Sequence, residues 1–145
     1  MGVEVNYIAV LLAAVVQMAL GFAWYGPLFG KPWSKMKGFA FDKMSKEEKS
    51  AMQKKMMPYY GVTFVLALIT AYVLVHVMFL SQNFFNYSQV VTGLMSALWM
   101  WLGFMLPVQA SATIFSDNKN WKLLSIDTGY QLASLLAMGL VLGYL

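Results

Sequence analysis

The sequence predicts an all-α integral membrane protein, a four-helix bundle with both termini outside and a basic cytoplasmic loop between the first two spans. Three observations predict it. Of 145 residues, 60% are hydrophobic and only 11% charged, against about a quarter charged in soluble domains. Apolar runs near the roughly 20 residues that cross a hydrocarbon core of about 30 Å recur four times. All ten basic residues are lysines, confined to two stretches between those runs. Four spans use roughly 80 to 90 residues, so residues 1–145 read as a single transmembrane domain with no room for a separate soluble one.

The first run extends from about Tyr7 to about Phe29 and closes with Trp24-Tyr25-Gly26-Pro27. Met1 to Asn6 lacks the positive region of a signal peptide, and the run that follows is too long for one, so it counts as span one. Residues 31–57 then carry Lys31, Lys35, Lys37, Lys43, Lys46, Lys49, Lys54 and Lys55 against Asp42, Glu47 and Glu48. Within this segment Ser45-Lys46-Glu47-Glu48 fits a capping box, which predicts a helix over about Lys46–Met57. With Met44, Ala51, Met52 and Met56 toward acyl chains and lysines toward phosphates, it reads as an interfacial helix leading into span two.

Span two is expected from about Pro58 to Leu80, with Pro58 in its first turn, where a missing amide costs nothing. The turn Ser81-Gln82-Asn83 follows, then a short uncharged connection to Ser88, which makes span three, about 89–115, antiparallel. A tight turn over Ser116 to Asn120 leads to span four, about 121–145. The four long runs exclude a β-barrel.

Positively charged loops stay on the cytoplasmic side. Every lysine falls in the first or third connection, which share a face, so both are predicted cytoplasmic and both termini outside. Trp24, Tyr25, Trp33, Tyr59, Tyr60 and Trp121 form the inner aromatic belt of this arrangement, and Tyr7, Tyr87 and Tyr144 the outer one. A pI near 9.3 does not indicate nucleic acid, because the charge is gathered in one stretch instead of spread over a solvated face. The lysine segment serves topology or binds anionic lipid or a cytoplasmic partner.

Polar side chains inside the spans are candidates for function, and each is equally a candidate for hydrogen bonding between helices. Asp127 is the sharpest, about one turn into span four. Helical spacing puts Asp127, Gln131, Ser134 and Met138 on one stripe with Tyr130 beside it. Gln109 and Thr113, four apart on span three, fall at nearly the same depth, as do Trp24 and Tyr25. The expectation is a polar and aromatic cluster in the cytoplasmic half, lined by spans one, three and four. Gln17, at mid-depth in span one, shares a stripe with Ala14 and Gly21 that continues to Trp24 and Tyr25.

His76 is the single histidine and cysteine is absent, so haem, zinc and disulfides lack their ligands, and no metal or cofactor is expected. Pro107 should kink span three, with Gly103 one turn before it. Gly139 and Gly143 form a GxxxG match suited to close helix approach within the bundle or in a dimer. The twelve methionines suit irregular core packing.

The stretch Phe22-Ala23-Trp24-Tyr25-Gly26-Pro27-Leu28-Phe29-Gly30-Lys31-Pro32-Trp33 resembles the bacterial membrane family catalogued as domain of unknown function 1761. Asn6-Tyr7, Trp121-Lys122-Leu123 and Gly129-Tyr130 match it too, so the resemblance covers nearly the whole chain. It implies a four-span protein of a bacterial inner membrane and directs attention to Trp24, Tyr25, Gly26, Pro27, Trp121, Gly129 and Tyr130, while transferring no catalytic residue or substrate.

No phosphate-binding glycine loop, nucleophile with an adjacent base, or paired acidic ligands appears, which argues against an enzyme. The leading expectation is a non-catalytic membrane protein that associates with itself or serves as an accessory subunit of other membrane proteins. The alternative is a small-molecule, lipid or ion binder, or a minimal transporter, using Asp127, Gln109, Trp24 and Tyr25 near Pro107.

Overall fold

The computed structural model describes residues 2–145, and among them every regular element is helical. Asn6 starts the first helix by accepting the amides of Ile8 and Ala9 on its side chain. This helix, α1 (Tyr7–Ala23), passes into a π turn at Trp24–Leu28, where the Phe29 amide donates to the Trp24 carbonyl at 2.8 Å, five residues back. A short helix α2 (Gly30–Lys37) follows and ends at Gly38, whose φ of 80° is the left-handed conformation that glycine adopts without strain.

The capping box at Ser45 forms as expected, with Ser45 and Glu48 each accepting the other's amide. What it opens is longer than expected. Helix α3 runs unbroken from Lys46 to Phe85, 40 residues with Pro58 inside it. The expected division into an interfacial helix and a separate span is therefore absent: Pro58 deletes one backbone hydrogen bond, and the lysines, methionines and alanines around it are good helix formers. At about 1.5 Å per residue the helix is roughly 60 Å long, twice the hydrocarbon thickness, so part of it projects beyond the bilayer. Ser81 to Asn83 are helical, and the turn falls later, at Asn86, with φ 54°.

Span three is α4 (Gln89–Met100), capped by Ser88, then a second π turn at Trp101–Met105, then α5 (Leu106–Ile114) with Pro107 in its first turn. The kink expected at Pro107 takes the form of that π turn, an extra residue inserted just ahead of the proline. Span four is α6 (Trp121–Tyr144), capped by Asn120.

Four helices are long and apolar enough to cross a membrane: Tyr7–Leu28, Lys46–Phe85, Gln89–Ile114 and Trp121–Tyr144. Each packs on its neighbours in chain order, α1 on α3, α3 on α4, α4 on α6 and α6 on α1, closing an up-and-down ring. The lysine-bearing connections gather at one end. At the other, the Asn6 side-chain amide donates to the Leu145 carbonyl.

The tightest seam joins α4 and α6. A Cβ at Gly139 would lie 2.5 Å from the Gly93 carbonyl oxygen, and one at Gly143 would lie 2.7 Å from Val90 Cα. Gly139 and Gly143 therefore serve packing inside the chain. Gly21 likewise admits the Tyr130 hydroxyl, 2.9 Å from where a Cβ would stand, whereas a Cβ at Gly103 would meet nothing within 4 Å. The expected packing role of Gly103 is absent, because its position on span three faces away from the other helices, and Pro107 is exposed.

Candidate functional site

The polar interior is organised by α6. Asp127 lies in its second turn, half-buried, and its Oδ1 accepts two hydrogen bonds, from the Tyr25 hydroxyl at 2.8 Å and the Trp33 indole at 3.1 Å. One carboxylate oxygen thus joins the first π turn, α2 and span four. Both donors are neutral, and Oδ2 accepts no hydrogen bond among the described residues.

Aromatic rings enclose this oxygen. Tyr25 meets Trp33 and Tyr130 edge to face, with centroids 5.1 and 5.0 Å apart, an arrangement favoured by ring quadrupoles. The Lys37 ammonium lies 5.8 Å from the centre of the Trp33 ring, a cation–π distance. Trp24 packs on Phe29 and reaches Gly129, whose absent side chain leaves room for the indole.

Two tryptophans hold the α6 backbone itself. The Trp24 indole donates to the Ile126 carbonyl at 3.1 Å, and the Trp101 indole donates to the Thr128 carbonyl at 2.9 Å. Each is the first residue of a π turn.

Below the aromatic cluster, toward mid-depth, lies a cavity of about 100 Å³ lined by Gln17, Thr70, Met105, Tyr130, Gln131 and Ser134 among others. Tyr130 belongs both to this lining and to the aromatic cluster, and donates its hydroxyl to the Gln17 carbonyl at 3.2 Å. Gln17 Oε1, Gln131 Oε1 and Ser134 Oγ are buried without a hydrogen-bond partner, as is Thr92 Oγ1 on α4, which does not line this cavity. Ser134 is conspicuous. Thr63, Thr70, Thr113, Ser125 and Thr128 each donate to the carbonyl one turn back, the ordinary solution for a hydroxyl in a membrane helix, and Ser134, 3% exposed, does not.

A second cavity, of about 220 Å³, opens at the end holding the termini and includes Glu4, Asn6, Gln82 and Gln89 in its lining. Between the two, Ala13, Ala71, Leu74 and Met138 are fully buried and close the bundle axis.

Of the residues singled out in the sequence, Trp24, Tyr25, Asp127 and Tyr130 meet in the aromatic cluster, and Gln17, Tyr130 and Gln131 line the inner cavity. Among the described residues, no hydrogen bond links Gln109 or Thr113 on span three to Gln131 or Asp127 on span four. Thr113 turns back to its own helix at the Gln109 carbonyl, and Asp127 is taken by Tyr25 and Trp33. His76 Nδ1 is 2.8 Å from the Tyr72 carbonyl, with the two rings packed together.

Trp33 and Trp101 are the partners that sequence reasoning missed. Trp33 reads as an interfacial anchor, and its one signal is isolation, a lone tryptophan among lysines. Thr70 carries no signal at all.

These features define a four-span membrane protein whose apolar core is interrupted by a few polar side chains. The chain belongs to the family described as protein of unknown function (DUF1761), whose sequence model matches residues 8–143. No curated protein and no solved structure matches it.

Proposed function

We propose that this protein is a non-catalytic, multi-pass membrane protein that binds a small polar solute inside its bundle. One observation carries the reading. Three buried polar atoms without partners, Gln17 Oε1, Gln131 Oε1 and Ser134 Oγ, belong to residues around a single cavity at mid-depth. Leaving a buried polar group unpaired costs about 1–3 kcal/mol; Thr92 Oγ1 bears that cost away from the cavity, but three such atoms on residues around one cavity favour a polar solute toward which these side chains turn.

Association with itself or as an accessory subunit has less support. The small-residue stripe that suggested it, Gly139 and Gly143, is consumed against Gly93 and Val90 of the same chain. The lysine distribution supports a bacterial inner-membrane orientation with Asp127 in the cytoplasmic half and the larger cavity outside.

The test is thermal unfolding of the detergent-solubilised protein against a panel of small solutes, neutral and charged. At least one solute should raise the unfolding temperature of the parent and leave that of a Gln17→Leu, Gln131→Leu double variant unchanged. A parent that responds to none of them, alongside a double variant that is simply more stable, overturns the reading.

A further inference from the structure

We infer that α2, and not the start of α3, is the surface of this chain that docks on the membrane, and that its partner is an anionic phospholipid headgroup. The first ground is depth. Asn6 and Leu145 join at one end of the bundle, where Tyr7 and Tyr144 are exposed, as aromatics at a membrane boundary are. From Leu145 back to Asp127, α6 rises about 27 Å at about 1.5 Å per residue, close to the roughly 30 Å of hydrocarbon. Asp127 therefore stands near the opposite boundary, at the end that carries the lysines.

The second ground is the tie that holds α2 at this level. Had the first span run on as a straight helix, Trp33 would stand about 12 Å beyond Tyr25. Instead the backbone leaves helical geometry at Phe29, with φ −122° and ψ 6°, and the Tyr25 and Trp33 ring centroids are 5.1 Å apart. Both side chains donate to the same Asp127 oxygen. The chain thus turns back, and α2 stays at the boundary. The start of α3 does the reverse. Tyr60 packs on Phe22, with centroids 5.4 Å apart, and from there the unbroken helix continues back to Lys46. It carries Lys49 and Lys46 about 16 to 21 Å further out, whereas headgroups add only about 5–7 Å to each face.

The third ground is chemistry. On α2, Lys31, Lys35 and Lys37 are exposed with no acidic residue among them, while Trp33 reaches inward to Asp127 and Ser34 is buried. The Lys37 ammonium lies 5.8 Å from the centre of the Trp33 ring, which keeps it at the level of that ring. Phe39, 43% exposed, stacks on the same indole. Ammonium groups beside an exposed ring are the surface of an interfacial segment, with charge for phosphate and apolar area for the acyl boundary. The first turn of α3 instead mixes Glu47 and Glu48 with its lysines.

Native mass spectrometry of the detergent-solubilised full chain, titrated with phosphatidylglycerol and, separately, with zwitterionic phosphatidylcholine, tests the assignment. The parent should retain phosphatidylglycerol at concentrations about tenfold lower than phosphatidylcholine. Lys31→Gln with Lys35→Gln should weaken that retention about tenfold. Lys46→Gln with Lys49→Gln removes the same charge and should leave retention within about twofold of the parent, because at that height the headgroups are about a Debye length away. Equal retention of both lipids by the parent overturns the anionic partner. The same response from the two lysine pairs, or loss from the α3 pair alone, overturns the placement on α2.

Discussion

Trp24 and Trp101 sit at the head of the two π turns and place their indole N–H groups on α6 carbonyls two residues apart, those of Ile126 and Thr128. A π turn inserts one extra residue, which rotates everything after it by about a third of a turn relative to an uninterrupted helix. Both insertions lie beside a proline, Pro27 within the first turn and Pro107 just after the second. The proline loosens the helix, the π turn absorbs the missing amide, and the tryptophan at its head is aimed at α6. Between the two grips lies Asp127, so the carboxylate is set on backbone held from span one and span three together.

If these grips position α6, replacing either indole by a ring without N–H should loosen it. Trp24→Phe and Trp101→Phe should each lower stability by about 1 kcal/mol, the scale of interhelical hydrogen bonds measured in membranes. Reversible unfolding of the solubilised protein reads this directly, and amide exchange should quicken at Gly129 to Gln131 before it changes elsewhere in α6.

The Tyr25 to Asp127 bond should show as coupling. In a double-mutant cycle with Tyr25→Phe and Asp127→Asn, the interaction term is expected at about 1 kcal/mol, below the roughly 1.5–3 kcal/mol of a dry charged hydrogen bond because the carboxylate is half-exposed. Additivity of the two losses would show that the 2.8 Å contact contributes nothing of its own.

The seam of α4 and α6 should be intolerant of bulk. Gly139→Leu or Gly93→Leu drives a side chain into facing backbone and should cost at least the roughly 1–3 kcal/mol of ordinary overpacking. Gly103→Ala, with open space around it, should instead raise stability by about 0.5–1 kcal/mol through helix propensity. The contrast, followed by thermal unfolding, separates packing glycines from idle ones.

At the start of α3, Ser45→Ala removes one half of the capping box and should cost about 1 kcal/mol of local helix stability. Because α3 is continuous through Pro58, fraying should reach beyond the first turn toward Met57. Faster amide exchange over Lys49–Met57 with unchanged exchange after Gly61 is the expected pattern.

Trp33 and Ser134 show where the sequence stops being legible. Trp33 lies in the lysine-rich segment, and nothing local distinguishes a tryptophan at a membrane interface from one reaching 94 positions along the chain to Asp127. Ser134 was legible as part of a polar stripe, but whether a serine in a helix bonds its own backbone or is left unpaired depends on its neighbours from other helices. Asp127, Tyr130, Trp24 and Tyr25 were readable together because depth in a bilayer follows from position along each span, which places them at one level before any packing is known.

By itself the sequence determined the four spans, their alternation, the cap at Ser45, and the level at which polar residues gather. Those depend on transfer energy and local backbone chemistry, which each segment carries within itself. Only the tertiary structure decided that α3 runs through Pro58, that Pro27 and Pro107 are accommodated by π turns, that Gly139 meets Gly93, and that three buried polar atoms on residues around one cavity remain unpaired. These depend on how rotated one helix is against the next, and that rotation is set by the packing of all four helices at once.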